Sequence, residues 1–114
     1  MQAKDDIICV ESIKQIMSIF GGKWAFVIIG ELRDGAKRFN ELNRTIGIST
    51  KSLSDALKVL ETNGAVVRTV HPTTPVTVEY SLTEKGRDFE QVFIAMRDWG
   101  AKWLNKNDIG SVAK

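Results

Sequence analysis

The sequence contains few of the residues that build disulfide-linked, zinc-binding or catalytic sites. It has one cysteine, Cys9, and one histidine, His71, among 114 residues. A single cysteine excludes a disulfide within the chain, and these two residues cannot supply the four ligands of a Cys/His structural zinc site. The acidic residues show no paired arrangement typical of acid–base catalysis. We therefore expect no enzyme activity, no metal and no cofactor.

Long hydrophobic runs are also absent. No apolar stretch approaches the roughly 18 residues of a membrane-spanning helix. Residues 1–11 include Lys4, Asp5 and Asp6 in place of the apolar centre of a signal peptide. With 43% hydrophobic and 26% charged residues, the chain fits one globular domain over residues 1–114. We expect it in the cytoplasm, with no membrane partner.

The charge is nearly balanced, at a formal +2, but it is unevenly distributed. Residues 33–68 carry seven Lys or Arg against four Asp or Glu, whereas residues 69–114 carry six of each. A local basic surface suits a polyanion such as DNA. Because the excess is small, the position of these charges must decide between a binding surface and a solvated face.

Apolar residues at helical spacing predict four helices before residue 64. The first, from Val10 to Phe20, ends at a Gly-Gly pair, and the second, from Trp24 to Leu32, is apolar nearly all round and therefore buried. Phe39–Ile46 is a short third helix, and Ser49 caps a fourth. The apolar stripe of the fourth helix consists of Leu53, Ala56, Leu57 and Leu60.

The pattern then changes to strands. The β-branched segment Val66–Val70 and the alternation over Val76–Leu82, on either side of a proline-containing turn, predict a β-hairpin. Thr83 caps a last helix, predicted to run over residues 84–105 for about 31 Å. A short helix, a glycine turn and a capped helix, followed by a hairpin, form a winged helix-turn-helix. The predicted fold class is mainly α with a small β-hairpin (α+β).

The second helix of such a pair is the one that enters the DNA major groove. If its leucine stripe faces inward, its lysines and hydroxyl residues face outward, where they suit phosphates and guanine acceptors. The alternative is an ordinary amphipathic surface helix. Candidate DNA-binding residues on this helix, before it and on the hairpin are Lys37, Arg38, Ser49, Thr50, Lys51, Ser52, Ser54, Asp55, Lys58, Arg68, His71, Thr73 and Thr74.

Several stretches together resemble the HxlR-type family of bacterial winged-helix transcription regulators. Their order and spacing carry the resemblance, which runs from Cys9 to about Gly100. The matching stretches are Gly21–Trp24, Gly35–Leu42, Gly47–Ser49 with Leu53, Leu57–Gly64, Pro75–Glu84 with Gly86, and Trp99-Gly100. The sequence departs from the family pattern at Val10, Ser52 and Thr77, where the family often has Pro, Met and Arg or Lys.

The resemblance implies a homodimer that binds a pseudo-palindromic DNA operator, and we expect a repressor. In the family, the first and last helices supply most dimer contacts. A long last helix with a near-continuous apolar stripe also has more apolar surface than so small a domain covers. The expected dimer-interface residues are Ile13, Met17, Met96, Trp99, Trp103 and Leu104.

The input signal remains open between two hypotheses. Several family members sense electrophiles or disulfide stress through an N-terminal cysteine, and Cys9 occupies the matching position, just before the first predicted helix. A helix N-terminus favours the reactive thiolate, but the neighbouring Asp5, Asp6 and Glu11 oppose it. Alternatively, Cys9 is inert and an aromatic or quinone-like inducer binds in a pocket at the dimer interface, near Trp24, Phe26, Trp99 and Trp103.

A third hypothesis differs in class. The winged helix would then be a protein-interaction module, with Lys51 and Lys58 only solvated. Alanine at both positions would in that case leave any DNA affinity unchanged.

Overall fold

The computed structural model describes the backbone of residues 3–104 and the side chains of residues 9–104. It confirms the predicted fold class, a mainly helical chain with a small antiparallel sheet. In chain order the elements are α1 (Ala3–Phe20), α2 (Ala25–Leu32), β1 (Lys37–Arg38), α3 (Phe39–Ile46), α4 (Thr50–Thr62), β2 (Val66–His71), β3 (Thr77–Leu82), α5 (Glu84–Asp88) and α6 (Glu90–Trp103).

Helix α2 lies at the centre of the core, as its apolar composition predicts. Ile28, Ile29 and Leu32 are fully buried. Against them pack the buried leucines of α4, so the predicted inward stripe of that helix is confirmed. The core residues are Phe20, Ala25, Ile28, Ile29, Leu32, Leu42, Ile48, Leu53, Leu57, Leu60, Ala65, Val66 and Leu82.

Among residues 3–104, no single helix is long and apolar enough to cross a membrane. Within the same residues, one pair of helical segments, Cys9–Phe20 and Ala25–Leu32, has that length and composition when the two are taken together, but the pair is bent by 76°.

The predicted hairpin is present, but the sheet has a third strand. The order is β1-β3-β2, with both pairings antiparallel. In β2, Val66 pairs with Leu82, and the opposite edge of β3 pairs with Lys37 through Tyr80. A two-residue strand has no alternation to read, which is why the sequence pattern missed β1.

Helix α1 begins earlier than predicted. It starts at Ala3, whereas the apolar spacing becomes clear only from Val10. The segment up to Phe20 contains no glycine or proline, so nothing in it breaks a helix. Cys9 therefore lies inside α1, and the expectation that it precedes the first helix is wrong.

The predicted continuous helix over residues 84–105 is also wrong. The structure divides it at Phe89 into α5 and α6, and residue 105 lies outside the described residues. The Phe89 ring stacks on Phe20, with 4.0 Å between centroids, and Gly86 is packed so tightly that an added Cβ would lie 2.0 Å from the Ala65 oxygen. These core contacts fix the chain direction before α6 begins. Helix α6 alone, with 14 residues, is about 21 Å long.

Candidate nucleic-acid interface

The turn between α3 and α4 sets the geometry of the site. Gly47 ends α3 with φ of 72°, a left-handed conformation that favours glycine. Its amide donates to the Asn43 oxygen (2.9 Å), and Asn43 Nδ2 donates to the Ile48 oxygen (2.7 Å). Because the Ile48 side chain is buried in the core, the three-residue turn holds α4 in a fixed orientation against α3.

The first turn of α4 is capped as the sequence predicts. The Ser49 hydroxyl oxygen accepts a hydrogen bond from the Ser52 amide (3.1 Å). Ser49, Thr50 and Lys51 are exposed, whereas Ser52 is half-buried. The positive end of the helix dipole therefore faces solvent beside two hydroxyl residues and a lysine, an arrangement suited to an anion.

Further along α4, the predicted outward residues lie on one exposed face. Lys51, Ser54, Asp55 and Lys58 are all exposed, opposite the buried Leu57. Lys51 Nζ lies 3.0 Å from Asp55 Oδ2, an ion pair one helical turn apart. We call Lys51, Ser54, Asp55 and Lys58 the outward face of α4.

The small sheet places two of the predicted cations on one of its two faces. Lys37 in β1 and Arg68 in β2 both pair with Tyr80 of the central strand, so the three residues share one sheet face. Two strand spacings put Lys37 and Arg68 roughly 10 Å apart. Arg38 points to the opposite sheet face, and its amide donates to Glu41 Oε1 (3.1 Å).

The hairpin tip is less suited to a phosphate than the helix. His71 Nε2 contacts Glu79 Oε1, so a carboxylate occupies the base of the tip. The Thr73 hydroxyl donates to the Pro75 oxygen (2.8 Å), and Thr74 is exposed. Contacts from this tip to a nucleic acid would be made through hydroxyl oxygens and backbone amides.

A cleft of about 340 Å³ lies between α4 and the junction of α1 with α2, and the sequence pattern gave no sign of it. Trp24 lines it opposite Ala56 and Val59, and Lys23 Nζ lies 5.0 Å from the centre of the Trp24 ring. Lys23 is therefore a cation beside α4 that the prediction omitted. Helical periodicity cannot show that Lys23 lies beside α4, because only tertiary packing brings the two together. In the sequence, the one sign that this segment matters is the Gly21–Trp24 stretch of the family resemblance.

The predicted aromatic pocket is not assembled within one chain. Trp24 lines the cleft, but Phe26 packs against Phe89 with 5.5 Å between ring centroids. Trp99 and Trp103 are exposed on α6, at 61% and 63%. An aromatic ligand in one chain would thus meet Trp24 without the two tryptophans of α6.

The comparisons with known proteins identify the family. The HxlR-like helix-turn-helix model matches residues 19–108. The chain belongs to the HxlR-like helix-turn-helix family. It is therefore a DNA-binding transcriptional regulator of the helix-turn-helix type, in a family whose members are regulators rather than enzymes.

Two relatives from Bacillus subtilis cover most of this HxlR-like chain. The HTH-type transcriptional regulator YodB is 43% identical over 97 residues, which are 84% of this chain and 87% of YodB. The HTH-type transcriptional regulator YdeP is 40% identical over 97 residues, 84% of this chain and 76% of YdeP.

Solved structures show the same fold. The reduced form of YodB matches with a TM-score of 0.75 at 43% identity, covering 82% of this chain and 93% of that one. The redox regulator HypR in its oxidised form matches with a TM-score of 0.76 at 37% identity, covering 82% and 98%.

Within this HxlR-like chain, Cys9 is exposed in the interior of α1. The argument that a helix N-terminus activates its thiol therefore does not apply. Glu11 pairs with Lys14 at 3.7 Å on the same helix. Among the residues whose side chains are described, no group of three or more His, Cys, Asp or Glu side chains is arranged to hold a metal.

The predicted dimer-interface residues form two exposed apolar faces. On α1, Ile13 is 58% and Met17 53% exposed. On α6, Met96 and the two tryptophans repeat every three or four residues, so they share one side of the helix. We call the exposed residues Met96, Trp99 and Trp103 the apolar face of α6.

Proposed function

We propose that this protein is a homodimeric repressor that binds a pseudo-palindromic DNA operator. The observation that carries the proposal is the outward face of α4, on which Lys51, Ser54, Asp55 and Lys58 are exposed while the opposite face is anchored in the core. Polar and charged groups in this position reach base edges when the helix lies in the major groove. Lys23, beside α4, and Lys37 and Arg68, on one face of the sheet, are cations suited to contacts with phosphates.

The apolar face of α6 supports the dimer. Side chains as large as Trp99 and Trp103 rarely remain more than 60% exposed in contiguous patches on a monomer. Pairing α1 and α6 with a second copy covers them, and a twofold dimer presents two α4 helices to two half-sites. Half-sites one helical turn apart fix the separation of the two helices at about 34 Å.

We further propose that modification of Cys9 releases the operator. YodB has structures in reduced, diamide-treated and quinone-bound forms, and HypR in reduced and oxidised forms. Cys9 here is exposed and lies one helical turn before Ile13 on α1. Because α1 carries part of the proposed dimer interface, a group added to Cys9 changes how the two chains pack. A shift in packing alters the separation of the two α4 helices and weakens binding to a site of fixed spacing.

The test is equilibrium binding to the DNA upstream of the protein's own gene, with the protein reduced, diamide-treated or quinone-treated. We expect selective binding by reduced protein, loss of binding after either treatment, and retention of binding by treated Cys9→Ser. A treated Cys9→Ser protein that also releases DNA contradicts the thiol switch. Selective binding by wild type that is indifferent to both reagents contradicts the switch and leaves the regulator intact.

The cleft beside Trp24 favours a second candidate for the input. It is bounded by α4 itself, so an aromatic ligand there contacts Ser52 and Ala56 of the DNA-binding helix directly. In this case Ala56→Leu, which fills the cleft, abolishes the ligand response, and Cys9→Ser preserves it. The thiol switch predicts the opposite pair of results.

A further inference from the structure

Asp55 is out of place on a surface that approaches DNA. Its side chain is 66% exposed on the outward face of α4, where a carboxylate is repelled by phosphates. It is the sixth residue of the helix, beyond the first turn in which an acid is stabilised by the helix dipole. Neither capping nor core packing therefore accounts for a carboxylate at this position.

The ion pair with Lys51 does not account for it either. Both side chains are largely exposed, at 84% for Lys51 and 66% for Asp55, and such pairs contribute little to stability. What the pair does provide is a hydrogen-bond donor and an acceptor 3.0 Å apart, aimed away from the core. Each group can therefore leave the other and bind an external partner that presents a complementary acceptor and donor at a similar spacing.

A G·C base pair has that geometry in the major groove. Guanine presents the acceptors O6 and N7, and cytosine presents the N4 amino donor. O6 and N4 are joined by a Watson–Crick hydrogen bond, which keeps them about 3 Å apart. Lys51 Nζ then donates to guanine and Asp55 accepts from cytosine N4, so each group of the protein pair meets its complement.

An A·T pair is a poorer match. Adenine N6 would satisfy Asp55, but thymine offers lysine one acceptor, O4, next to a methyl group, in place of two acceptors on guanine. A carboxylate brought into the groove without an amino group opposite it loses its water and gains no partner. Asp55 therefore penalises the reversed orientation of either base pair, in which guanine O6 or thymine O4 lies opposite it in place of an amino group.

We propose that Lys51 and Asp55 act together as a reader of one G·C base pair in each operator half-site. The inference rests on the proposed DNA-binding function of α4 and adds the base pair that it selects. Lys51 supplies affinity as well as readout, whereas Asp55 supplies readout alone and lowers the affinity for DNA in general.

The experiment is selection from duplexes with a randomised central segment, followed by binding measurements on the selected site and its single-base-pair variants. The proteins are reduced wild type, Asp55→Ala, Asp55→Asn and the control Glu61→Ala. Glu61 is an exposed acid on the same helix, six residues or about 9 Å further along and about 120° around the helix from Asp55. Its removal changes the charge of α4 by the same amount as Asp55→Ala.

Wild type should select a G·C pair and discriminate against other pairs there by about tenfold. Asp55→Ala should bind unrelated DNA more tightly yet lose most of the discrimination against the reversed orientations at this one position, whereas Lys51 keeps its preference for guanine over thymine. Asp55→Asn should move the preference toward A·T, because asparagine pairs with adenine N6 and N7. Glu61→Ala should raise affinity on every duplex and leave the preferred sequence unchanged.

Two outcomes overturn the proposal, and they are distinguishable. If Asp55→Ala and Glu61→Ala behave alike, raising affinity uniformly with the base preference intact, Asp55 is only a solvated charge and the reader is refuted while the regulator stands. If wild type selects no sequence at all, the proposed operator-binding function fails together with the reader.

Discussion

Helices α4 and α6 are similar in length and carry the same kind of apolar repeat, but their apolar faces end in different surroundings. In α4, Leu53 and Leu57 are at most 2% exposed. In α6, Met96 is 50% and Trp99 61% exposed, and none of the residues Glu90–Trp103 is buried. A helical repeat thus identifies an apolar face without identifying what covers it. The face of α4 is covered by its own chain, whereas the described part of the chain leaves the face of α6 exposed.

The attachment of α6 explains the difference. The helix is docked on α2 near its start, where the Phe93 ring packs onto Gly30 and Arg33 Nη2 lies 2.8 Å from Glu90 Oε1. Its C-terminal half extends past these contacts with Trp99 and Trp103 exposed. Helix α4, by contrast, is held by the Gly47 turn at one end and by the sheet at the other.

The buried apolar face of α4 predicts the largest effect on stability. Leu57→Ala should lower the free energy of unfolding by about 2–5 kcal/mol, since it leaves a cavity between α4 and α2. Urea unfolding followed by circular dichroism measures the loss. Val76→Ala, at a position 62% exposed on the hairpin turn, is the control and should stay within about 0.5 kcal/mol of wild type. Equal losses for the two variants would contradict the assigned burial.

The exposed apolar face of α6 predicts a change in oligomeric state. Met96→Glu should raise the dimer dissociation constant about 100-fold or more, because an unpaired charge buried in an interface costs roughly 3 kcal/mol. Sedimentation equilibrium measures the shift, and circular dichroism should show unchanged helix content. Val76→Glu places the same charge at an exposed apolar position, 62% against 50% for Met96, outside the proposed interface. If Met96→Glu remains as dimeric as Val76→Glu, α6 is not part of the dimer interface.

The junction between the two regions predicts an intermediate effect. An added Cβ at Gly30 would lie 2.9 Å from Phe93 Cζ, so Gly30→Ala should displace the start of α6 and cost about 1–3 kcal/mol. Thermal unfolding measures it, and Phe93→Leu in the same chain should restore part of the loss. At Gly22 an added Cβ meets nothing within 4 Å, so Gly22→Ala should have little effect. A neutral Gly30→Ala would mean that α6 is not fixed to α2 through Phe93.

The cap of α4 predicts the smallest effect. Ser49→Ala should lower the free energy of unfolding by about 1 kcal/mol, because the Ser52 amide loses its partner. Ser54→Ala on the same helix should cost nothing, since alanine has the higher helix propensity. Denaturant midpoints for the two variants measure the difference, and a loss in Ser54→Ala equal to that in Ser49→Ala would speak against the cap.

Local signals in the sequence predicted the elements that local interactions determine. The leucine stripe of α4, its Ser49 cap and the glycine turn at Gly47 were each readable from neighbouring residues. The third strand was not, because Lys37 pairs with Tyr80, more than 40 residues away. The break at Phe89 likewise depends on stacking against Phe20 at the end of α1.

The residues of the candidate site likewise divide into those that the local sequence pattern predicts and those whose place depends on tertiary packing. The outward face of α4 follows from helical periodicity alone, so the exposed placement of Lys51 and Lys58 is predictable from the sequence. Lys23 was missed because its position beside α4 depends on the packing of the α1–α2 junction. The predicted position of Cys9, before the first helix, is wrong because α1 begins at Ala3, ahead of its first clear apolar spacing.

The most direct test of the central claim, a dimer that reads DNA sequence with α4, is the stoichiometry and salt dependence of operator binding. Reduced protein would be titrated into the duplex upstream of its own gene and into a shuffled duplex of equal composition, over a range of salt concentrations. The account predicts saturation at two chains per site, a preference of about 10³-fold or more over the shuffled duplex, and an affinity that falls linearly with salt on logarithmic axes. Equal affinity for both duplexes, or saturation at one chain per site, would contradict it.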